Sequence, residues 1–301
     1  MTIPGMVAPL FRDDRYQSLF AQDGFVKVPL LSGEQVDALL AFFDETREGH
    51  QVAQKLHHTS TDTRNADLIY RVDSRIKAIF GPALDNLLSD YKALAGTYHI
   101  KETGTGSATG IHQDPTFVDE TDYCSANVWV ALHDIDAHNG NLFFVKGSHR
   151  AVSSLRITPS FPGFYEKFRE ELPQMLTHVP LKKGEAVIFN NATIHGATDN
   201  STNRPRLAAT LLVCSAPAQW LLYYRDEHST DAHVGRYVLD MEAFVALAQN
   251  GKPGADVLDG YVACEFPQLE LADFEKKMGR APAPVGYLQR IKAALGLKTT
   301  V

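Results

Sequence analysis

The chain has few cysteines and no long apolar run. Its three cysteines, Cys124, Cys214 and Cys264, lie far apart and form no CxxC pair, which argues against a disulfide framework or a zinc ribbon and indicates a reducing compartment. No stretch approaches the roughly 20 apolar residues that a membrane-spanning helix needs. The opening MTIPGMVAPLFRDDR lacks the basic and apolar regions of a signal peptide. We therefore expect a cytoplasmic protein without a membrane partner.

Positive charge and familiar catalytic motifs are also scarce. The net charge of -7 and the pI near 5.9 argue against nucleic acid or an anionic membrane as the main partner. The sequence contains no HExxH, GxSxG, GxGxxG or P-loop pattern, and the chemistries that depend on these motifs lack their residues. Composition does not indicate an oligomeric state.

The N-terminal part of the chain has a helical pattern. Ser32 and Gln35 have the spacing of a capping box, and the apolar residues that follow predict a helix over residues 33–48. A second helix is predicted over residues 74–94, and Gly81-Pro82 is a candidate break within it.

From about residue 96 the sequence pattern changes to short apolar runs rich in β-branched and aromatic residues, which predict strands. Examples are SANVWVALHDI and RLAATLLVCSA. Residues 151–178 form a long connection with some helix, and further helices are predicted near 240–249, 270–279 and 285–295. We expect one domain over residues 1–301. It would comprise a helical N-terminal layer (about 1–95), a β core (about 96–215) and a C-terminal extension (about 216–301).

The stretch GIHQDP places a histidine and a carboxylate two residues apart. On a strand, positions i and i+2 point to the same face, so His112 and Asp114 would project together, and Pro115 would end the strand. An HxD pair alone is a weak indication of a metal site.

A second histidine comes in GEAVIFNNATIHGATDNSTNRPRLAATLL. If the polar run 198–203 is a hairpin loop centred between Asn200 and Ser201, His195 lies opposite Arg206 on one face. Arg204 shares that face and stays a rival. The register is an assumption, and a slip of one residue would separate the pair.

These residue types suit one chemistry in particular. Two imidazoles and one carboxylate on one face of Fe(II) leave positions open for a chelating 2-oxo acid and for O2, and an arginine fork can hold the far carboxylate of that acid. Zinc would favour a compact tetrahedral set with cysteine or a third histidine.

Several blocks resemble the phytanoyl-CoA dioxygenase-like (PhyH) family of Fe(II)/2-oxoglutarate-dependent oxygenases. They are HQD at 112–114, VWVALHDIDAHNGNLFFVKGSHR at 128–150, the block around His195, and DGFVKVPLLSGEQVDALLAFF at 23–43. Together they cover roughly residues 20–215. The resemblance implies a mainly β fold with flanking helices, built on a double-stranded β-helix of the jelly-roll or cupin-like kind.

The resemblance also implies roles for single residues. His112, Asp114 and His195 would bind Fe(II), and Arg206 would hold the C5 carboxylate of 2-oxoglutarate. Lys101 resembles a lysine of the family that lines the co-substrate pocket, although a solvated strand-end charge is the alternative.

The chain departs from the family pattern two residues after the distal histidine. Ala197 stands where members often carry a hydroxyl, which Thr198 would then supply.

The substrate side is less defined. C-terminal loops of the family often close over substrate, and the segment 219–237 offers Tyr224, Arg225 and His228 for that role. The paired histidines 57–58 and His133 are expected on the surface or in loops.

The expected function is hydroxylation of an unactivated C–H bond in a small organic metabolite. It would use Fe(II), 2-oxoglutarate and O2 and release succinate and CO2. Asp114 argues against halogenation, because related halogenases carry a small residue there. The alternatives are desaturation, epoxidation, epimerisation or cyclisation at the same centre, or a non-catalytic small-molecule-binding barrel. Only Lys182-Lys183 and Lys276-Lys277 form basic pairs, which makes a CoA ester a poorer candidate substrate.

Overall fold

The structure is a computed structural model, and it describes residues 9–159 and 161–279. Its helices and strands are, in chain order, α1 (Asp14–Asp23), β1 (Phe25–Pro29), α2 (Gly33–Glu45), β2 (His57–Thr59), α3 (Ala66–Leu87), β3 (Tyr91–Lys101), β4 (Thr109–His112), β5 (Ser125–Ala131), β6 (Leu142–Val145), β7 (Leu176–Val179), β8 (Glu185–Asn190), β9 (His195–Ala197), β10 (Arg206–Ser215), β11 (Leu221–Tyr224), β12 (His233–Val238), α4 (Met241–Asn250), β13 (Leu258–Ala263) and α5 (Leu271–Lys277).

Two antiparallel sheets form the centre of the molecule. The larger has the strand order β1-β8-β5-β10-β3-β2, and the smaller has the order β4-β9-β6-β7. Buried side chains from both sheets, including Trp129, Phe144 and Phe189, pack together between them. The other face of the larger sheet packs against apolar residues of α1, α2 and α3. This arrangement agrees with the predicted mainly β fold with flanking helices.

Helix α2 begins as the sequence predicts. The Ser32 N–H donates to Gln35 Oε1 at 2.9 Å, and the Gln35 N–H donates to Ser32 Oγ at 3.3 Å, which completes the capping box. The helix ends at Glu45, three residues before the predicted end, and a 3-10 turn over Arg47–His50 follows it.

The predicted bounds of the second helix are wrong. Helix α3 covers Ala66–Leu87 and begins at Asn65, whose side chain accepts from the Leu68 N–H at 3.1 Å. Pro82 lies inside the helix without breaking it. The residue four positions earlier, Ala78, is exposed, so we infer that its unpaired carbonyl faces solvent. Residues 91–94 belong to β3 instead of the helix.

The C-terminal extension contains a third sheet, which the sequence analysis did not predict. Strands β11, β12 and β13 pair in antiparallel order, and α4 packs beside them through contacts such as Trp220 with Phe244. The helices predicted near 240–249 and 270–279 are confirmed as α4 and α5, and the connection 151–178 carries a 3-10 helix over Glu166–Met175. The helix predicted near 285–295 lies outside the described residues.

Two further features concern the molecule as a whole. The three cysteines are buried and free. Among the residues that the structure describes, no helix has both the length and the apolarity to cross a bilayer. The single-domain organisation stays a prediction.

Candidate metal centre

The two histidines and the aspartate meet at one edge of the smaller sheet. Strand β4 ends at His112, strand β9 begins at His195, and these two residues are direct partners in the antiparallel ladder. Asp114 lies just beyond the end of β4, where its N–H donates to the Asn191 carbonyl at 3.0 Å. Segments 83 positions apart in the sequence therefore place three candidate ligands side by side.

The distances suit a single metal ion. One ligand atom from each residue lies within 4.8 Å of the other two. Asp114 Oδ1 is 3.7 Å from His112 Nε2 and 3.7 Å from His195 Nε2, and the two imidazole centroids are 4.2 Å apart. The donor set is two neutral nitrogens and one carboxylate oxygen, which fits the facial arrangement that Fe(II) takes in non-haem oxygenases.

Backbone carbonyls orient both imidazoles. The Nδ1 atom of His112 lies 2.8 Å from the Gly110 carbonyl, and that of His195 lies 2.9 Å from the Thr193 carbonyl. Because a carbonyl only accepts, Nδ1 carries the hydrogen in each ring and Nε2 keeps its lone pair for a metal. Burial lowers the pKa of His195 to about 4, whereas at His112 the Asp114 carboxylate outweighs burial and raises the pKa.

Two amides hold the aspartate. Asn127 Nδ2 donates to Asp114 Oδ2 at 3.3 Å, and Asn191 Nδ2 donates to the same oxygen at 3.2 Å. Burial opposes ionisation, but the adjacent imidazoles and the Asn127 amide hold the pKa of Asp114 well below its usual range. The Asp114 Oδ1 atom is thus left to face the two histidines. Sequence reasoning did not assign a role to either asparagine, and no spacing in the sequence connects them with the metal site.

A buried guanidinium faces the same cavity. Arg206, at the start of β10, is 3% exposed, and its Nε and Nη1 atoms have no hydrogen-bond partner among the described residues. The guanidinium carbon lies 5.0 Å from the centre of the Trp129 ring. Burial lowers the pKa of Arg206 to about 9, so the group stays charged at neutral pH. A buried cation with two unsatisfied donors requires an anion, and a co-substrate carboxylate would satisfy it.

The cavity that joins these groups is small. It is lined by His57, His99, Thr109, His112, Asp114, Asn127, Trp129, Leu142, Phe189, His195, Gly196, Ala197 and Arg206. The candidate metal ligands and the unpaired guanidinium therefore share one cavity.

The predicted hairpin between His195 and Arg206 is wrong. Strands β9 and β10 belong to different sheets, so His195 pairs with His112 and Phe144, whereas Arg206 pairs with Lys101. The two side chains reach the cavity from opposite sheets, and the segment 198–205 crosses between these sheets. The rival arginine at position 204 has an exposed side chain.

Two further predicted co-substrate contacts lie behind the cavity wall. Lys101 is fully buried, which rules out a solvated charge, and its Nζ donates to the Thr198 carbonyl at 2.7 Å. The Thr198 hydroxyl donates to Asn141 Oδ1 at 3.2 Å. Neither residue is among the described residues that line the cavity.

The expectation for the paired histidines is wrong. His57 lies on β2, half-buried, and lines the cavity beside His99, with 5.7 Å between the ring centres. His58 is buried, and its Nε2 lies 3.0 Å from the His50 carbonyl. The strand is only three residues long, which is too short for its alternation to be recognised in the sequence.

The three predicted substrate residues lie elsewhere. Tyr224 and His228 line a separate cleft on the C-terminal sheet together with Tyr237 and Tyr261. The side chain of Arg225 donates to the Thr230 carbonyl at 3.2 Å. The structure does not bring these three residues to the candidate metal centre.

The fold and the site define a class of protein. Facing antiparallel sheets, a His/Asp/His cluster and a buried arginine beside it are the features of Fe(II)/2-oxoglutarate-dependent oxygenases. The family model "Phytanoyl-CoA dioxygenase (PhyH)" matches residues 20–208, and the chain belongs to this family. The predicted family is confirmed.

Curated relatives match over part of their length. A phytanoyl-CoA dioxygenase domain-containing protein 1 homolog of Caenorhabditis elegans is 31% identical over 127 residues, which are 38% of this chain and 44% of the relative. Phytanoyl-CoA dioxygenase domain-containing protein 1 of Danio rerio is 30% identical over 141 residues, 42% of this chain and 48% of the relative. The matched part thus spans less than half the length of either relative.

Solved structures confirm the fold. The epimerase SnoN, in complex with Fe3+, alpha-ketoglutarate and nogalamycin RO, has a TM-score of 0.53 and 23% identity, over 69% of this chain and 85% of that one. The carbocyclase SnoK from nogalamycin biosynthesis has a TM-score of 0.53 and 19% identity, over 69% and 86%. At these identities the likeness concerns the fold, a double-stranded β-helix, as predicted.

Proposed function

We propose that this chain hydroxylates an unactivated C–H bond of a small organic metabolite and uses Fe(II), 2-oxoglutarate and O2. The observation that carries the proposal is the convergence of His112, Asp114 and His195 with an unpaired, buried Arg206 in one cavity. Iron would be held by the two Nε2 atoms and by Asp114 Oδ1, and Arg206 would bind the C5 carboxylate of the co-substrate. Iron with 2-oxoglutarate and O2 supplies the oxidising chemistry, and succinate and CO2 are the co-products.

The residues around the centre would orient the ligands and exclude water. The Phe189 ring packs against His195 with 4.7 Å between centres, and the Phe144 ring stacks on the same imidazole at 5.9 Å. The side chain of His195 is 6% exposed, whereas that of His112 is 39% exposed. Substrate would therefore approach on the His112 side, while the aromatic side stays dry.

The contacts of the basic pair Lys182-Lys183 support a metabolite over a CoA ester. Lys182 Nζ lies 2.8 Å from Asp134 Oδ2, and Lys183 Nζ lies 2.5 Å from Asp37 Oδ1. Both members of this basic pair thus have carboxylate partners, which leaves them poorly placed to bind phosphates. Structurally similar proteins bind or process small molecules of the nogalamycin kind, which is consistent with such a substrate.

Other oxidations at the same centre are alternatives. The structurally similar enzymes include an epimerase and a carbocyclase. Desaturation and epoxidation are further alternatives at the same centre. The outcome among these reactions depends on which substrate hydrogen faces the metal. The remaining alternative is a non-catalytic barrel that binds a small molecule, which would show no turnover.

Anaerobic titration with Fe(II) and 2-oxoglutarate tests the proposal. We expect a metal-to-ligand charge-transfer band in the visible region for the wild type and its loss in His195→Ala. Arg206→Ala should weaken 2-oxoglutarate binding strongly, whereas the exposed Arg204→Ala is the matched control and should not. A wild-type protein without the band would support the binding-barrel alternative. If the band forms, a screen for metabolites that stimulate succinate release would identify the substrate.

A further inference from the structure

The cleft on the C-terminal sheet, here called the C-terminal cleft, has the size of a small-molecule site. Its volume is about 420 Å³, within the range of about 300–1,000 Å³ that such sites have. One wall is the sheet of β11, β12 and β13, and the other is the end of α4 with the turn that follows it. No described residue lines both this cleft and the metal cavity. A ligand bound here would therefore be separate from one at the metal centre.

Three tyrosine rings line the C-terminal cleft, and each hydroxyl already donates to the protein. Tyr237 donates to Asp226 Oδ2 at 2.5 Å, and Tyr261 donates to the same oxygen at 2.9 Å. Tyr224 donates to the Gly251 carbonyl at 3.3 Å. Because a phenol has one hydrogen to donate, these three hydroxyls can only accept a hydrogen bond from a ligand. Aromatic rings also attract cations through the negative charge of their faces.

The charged groups of the cleft add to this preference. Asp226, Glu227 and Asp256 line it, with Lys252 as the opposing cation. Burial opposes ionisation of Asp226, but its hydrogen bonds, above all the one from Tyr237, lower its pKa to about 2. Helix α4 also ends at the cleft in the uncharged residues 247–250, so the negative end of its dipole has no charge beside it within that turn. The cleft is therefore rich in acceptors and negative charge.

An organic cation suits the C-terminal cleft better than a metal ion does. Among the described residues, only His112, Asp114 and His195 bring three ligand atoms close enough together to hold a metal. The carboxylates of the cleft do not converge in this way, so the tyrosine rings would have to supply much of the contact. Rings of this kind contact the alkyl groups of an amine or a quaternary ammonium ion as well as its charge.

We propose that the C-terminal cleft is a binding site for an organic cation, an amine or a quaternary ammonium compound. The rings of Tyr224, Tyr237 and Tyr261 would contact the cation, and the carboxylates of Glu227 and Asp256 would balance its charge. The same carboxylates would repel an anion. The inference is independent of the proposed function, because the residues that carry it lie outside the metal cavity.

Isothermal titration of the full chain with choline at low ionic strength tests this inference. The matched ligand is the neutral alcohol in which a carbon atom replaces the choline nitrogen, so the two differ in charge and share a shape. We expect choline to bind more tightly than this alcohol by about tenfold, as for a cation held by several aromatic rings.

Variants of single residues locate the binding. Tyr261 is 40% exposed, and so is Tyr70 on α3, which does not line the cleft and gives the matched control. Tyr261→Leu should weaken choline binding by about fivefold or more, whereas Tyr261→Phe keeps the ring and should retain most of the affinity. Tyr70→Leu should leave binding unchanged. Glu227→Gln should weaken the binding of choline but not of the alcohol, and Lys252→Met should strengthen the binding of choline.

Three results would overturn the inference. They are the absence of choline binding, equal affinities for choline and the alcohol, and choline binding that neither Tyr261→Leu nor Glu227→Gln weakens, since the cation would then bind elsewhere. Melting temperatures show whether each variant is folded. The side chain of Glu227 is exposed, so the effect of Glu227→Gln decides the matter if Tyr261→Leu is unstable.

Discussion

A buried ion pair connects the Asp114 loop to the long connection 151–178. Arg156 is 1% exposed, and its Nε donates to the Asp114 carbonyl at 2.7 Å. Its Nη1 and Nη2 atoms pair with the two carboxylate oxygens of Glu120 at 2.9 and 2.5 Å. The backbone adds a reciprocal pair, because the Arg156 N–H donates to Thr116 Oγ1 and the Thr116 N–H donates to the Arg156 carbonyl, both at 2.9 Å.

We predict that Arg156→Met destabilises the protein severely. Removal of one partner of a buried ion pair costs about 3–5 kcal/mol. A buried carbonyl left without its donor costs about 1–3 kcal/mol more. The Glu120 side chain is 24% exposed, so water can partly replace the guanidinium there. We therefore expect a loss of about 3–5 kcal/mol in the free energy of unfolding, measured by urea denaturation of the metal-free protein.

The same variant should also weaken metal binding, because the carbonyl that loses its donor belongs to a candidate ligand. Loss of a group that orients a ligand typically lowers metal affinity by about 10–100-fold, and Mn(II) titration measures this. Glu120→Gln keeps the bond from Arg156 to the Asp114 carbonyl, so it should lose stability with a smaller effect on the metal. The exposed pair of Arg71 with Asp67 gives a surface control, and Arg71→Met should cost less than about 1 kcal/mol. A loss below about 1 kcal/mol for Arg156→Met, with unchanged metal affinity, would refute this account of the ion pair.

Three further predictions concern separate parts of the molecule. Asn127→Ala removes one of the two amides on Asp114 Oδ2 and should weaken Mn(II) binding by about tenfold; an unchanged dissociation constant would contradict the role of the amide. Gly184 has a φ of +84°, and an added Cβ would lie 2.3 Å from a backbone oxygen, whereas Gly251 has a φ of +74° and open space around it. In thermal denaturation Gly184→Ala should therefore lower the melting temperature much more than Gly251→Ala. Equal decreases would show that the structure relieves the contact at little cost in free energy. Burial, followed by the charge of the neighbouring arginine, lowers the pKa of Lys101 to about 7. The unfolded chain then binds more protons above pH 7, so the free energy of unfolding should rise with pH up to about 10, and this rise should be smaller in Lys101→Met.

The features that the structure places as the sequence predicts are those whose geometry is local. The capping box at Ser32 needs only a spacing of three residues, and it begins α2 in the structure. His112 and Asp114 are two residues apart, so their side chains stay close to each other wherever strand β4 ends near Pro115. His195 and Arg206 were assigned to the site through the resemblance to a family. The hairpin inferred from the local sequence placed them incorrectly relative to each other.

The errors at the candidate site concern contacts between segments that are distant in the sequence. The hairpin between His195 and Arg206 was wrong because the chain crosses from one sheet to the other after β9, and no local pattern marks such a crossing. His57 was assigned to the surface because its strand is three residues long and becomes part of a sheet only by pairing with β3. Asn191 and Thr109 also have partners that are distant in the sequence, because Asn191 donates to Asp114 and Thr109 pairs with Ala197 on β9.

The positions of the two binding groups on different sheets have a mechanical consequence. The candidate metal ligands belong to the smaller sheet and its adjoining loop, whereas Arg206 belongs to the larger sheet. A five-carbon diacid held at both ends would therefore brace one wall of the barrel against the other, while a short chelator such as oxalate would reach one wall only. Binding of the diacid should accordingly slow hydrogen exchange in β4 and β10 together.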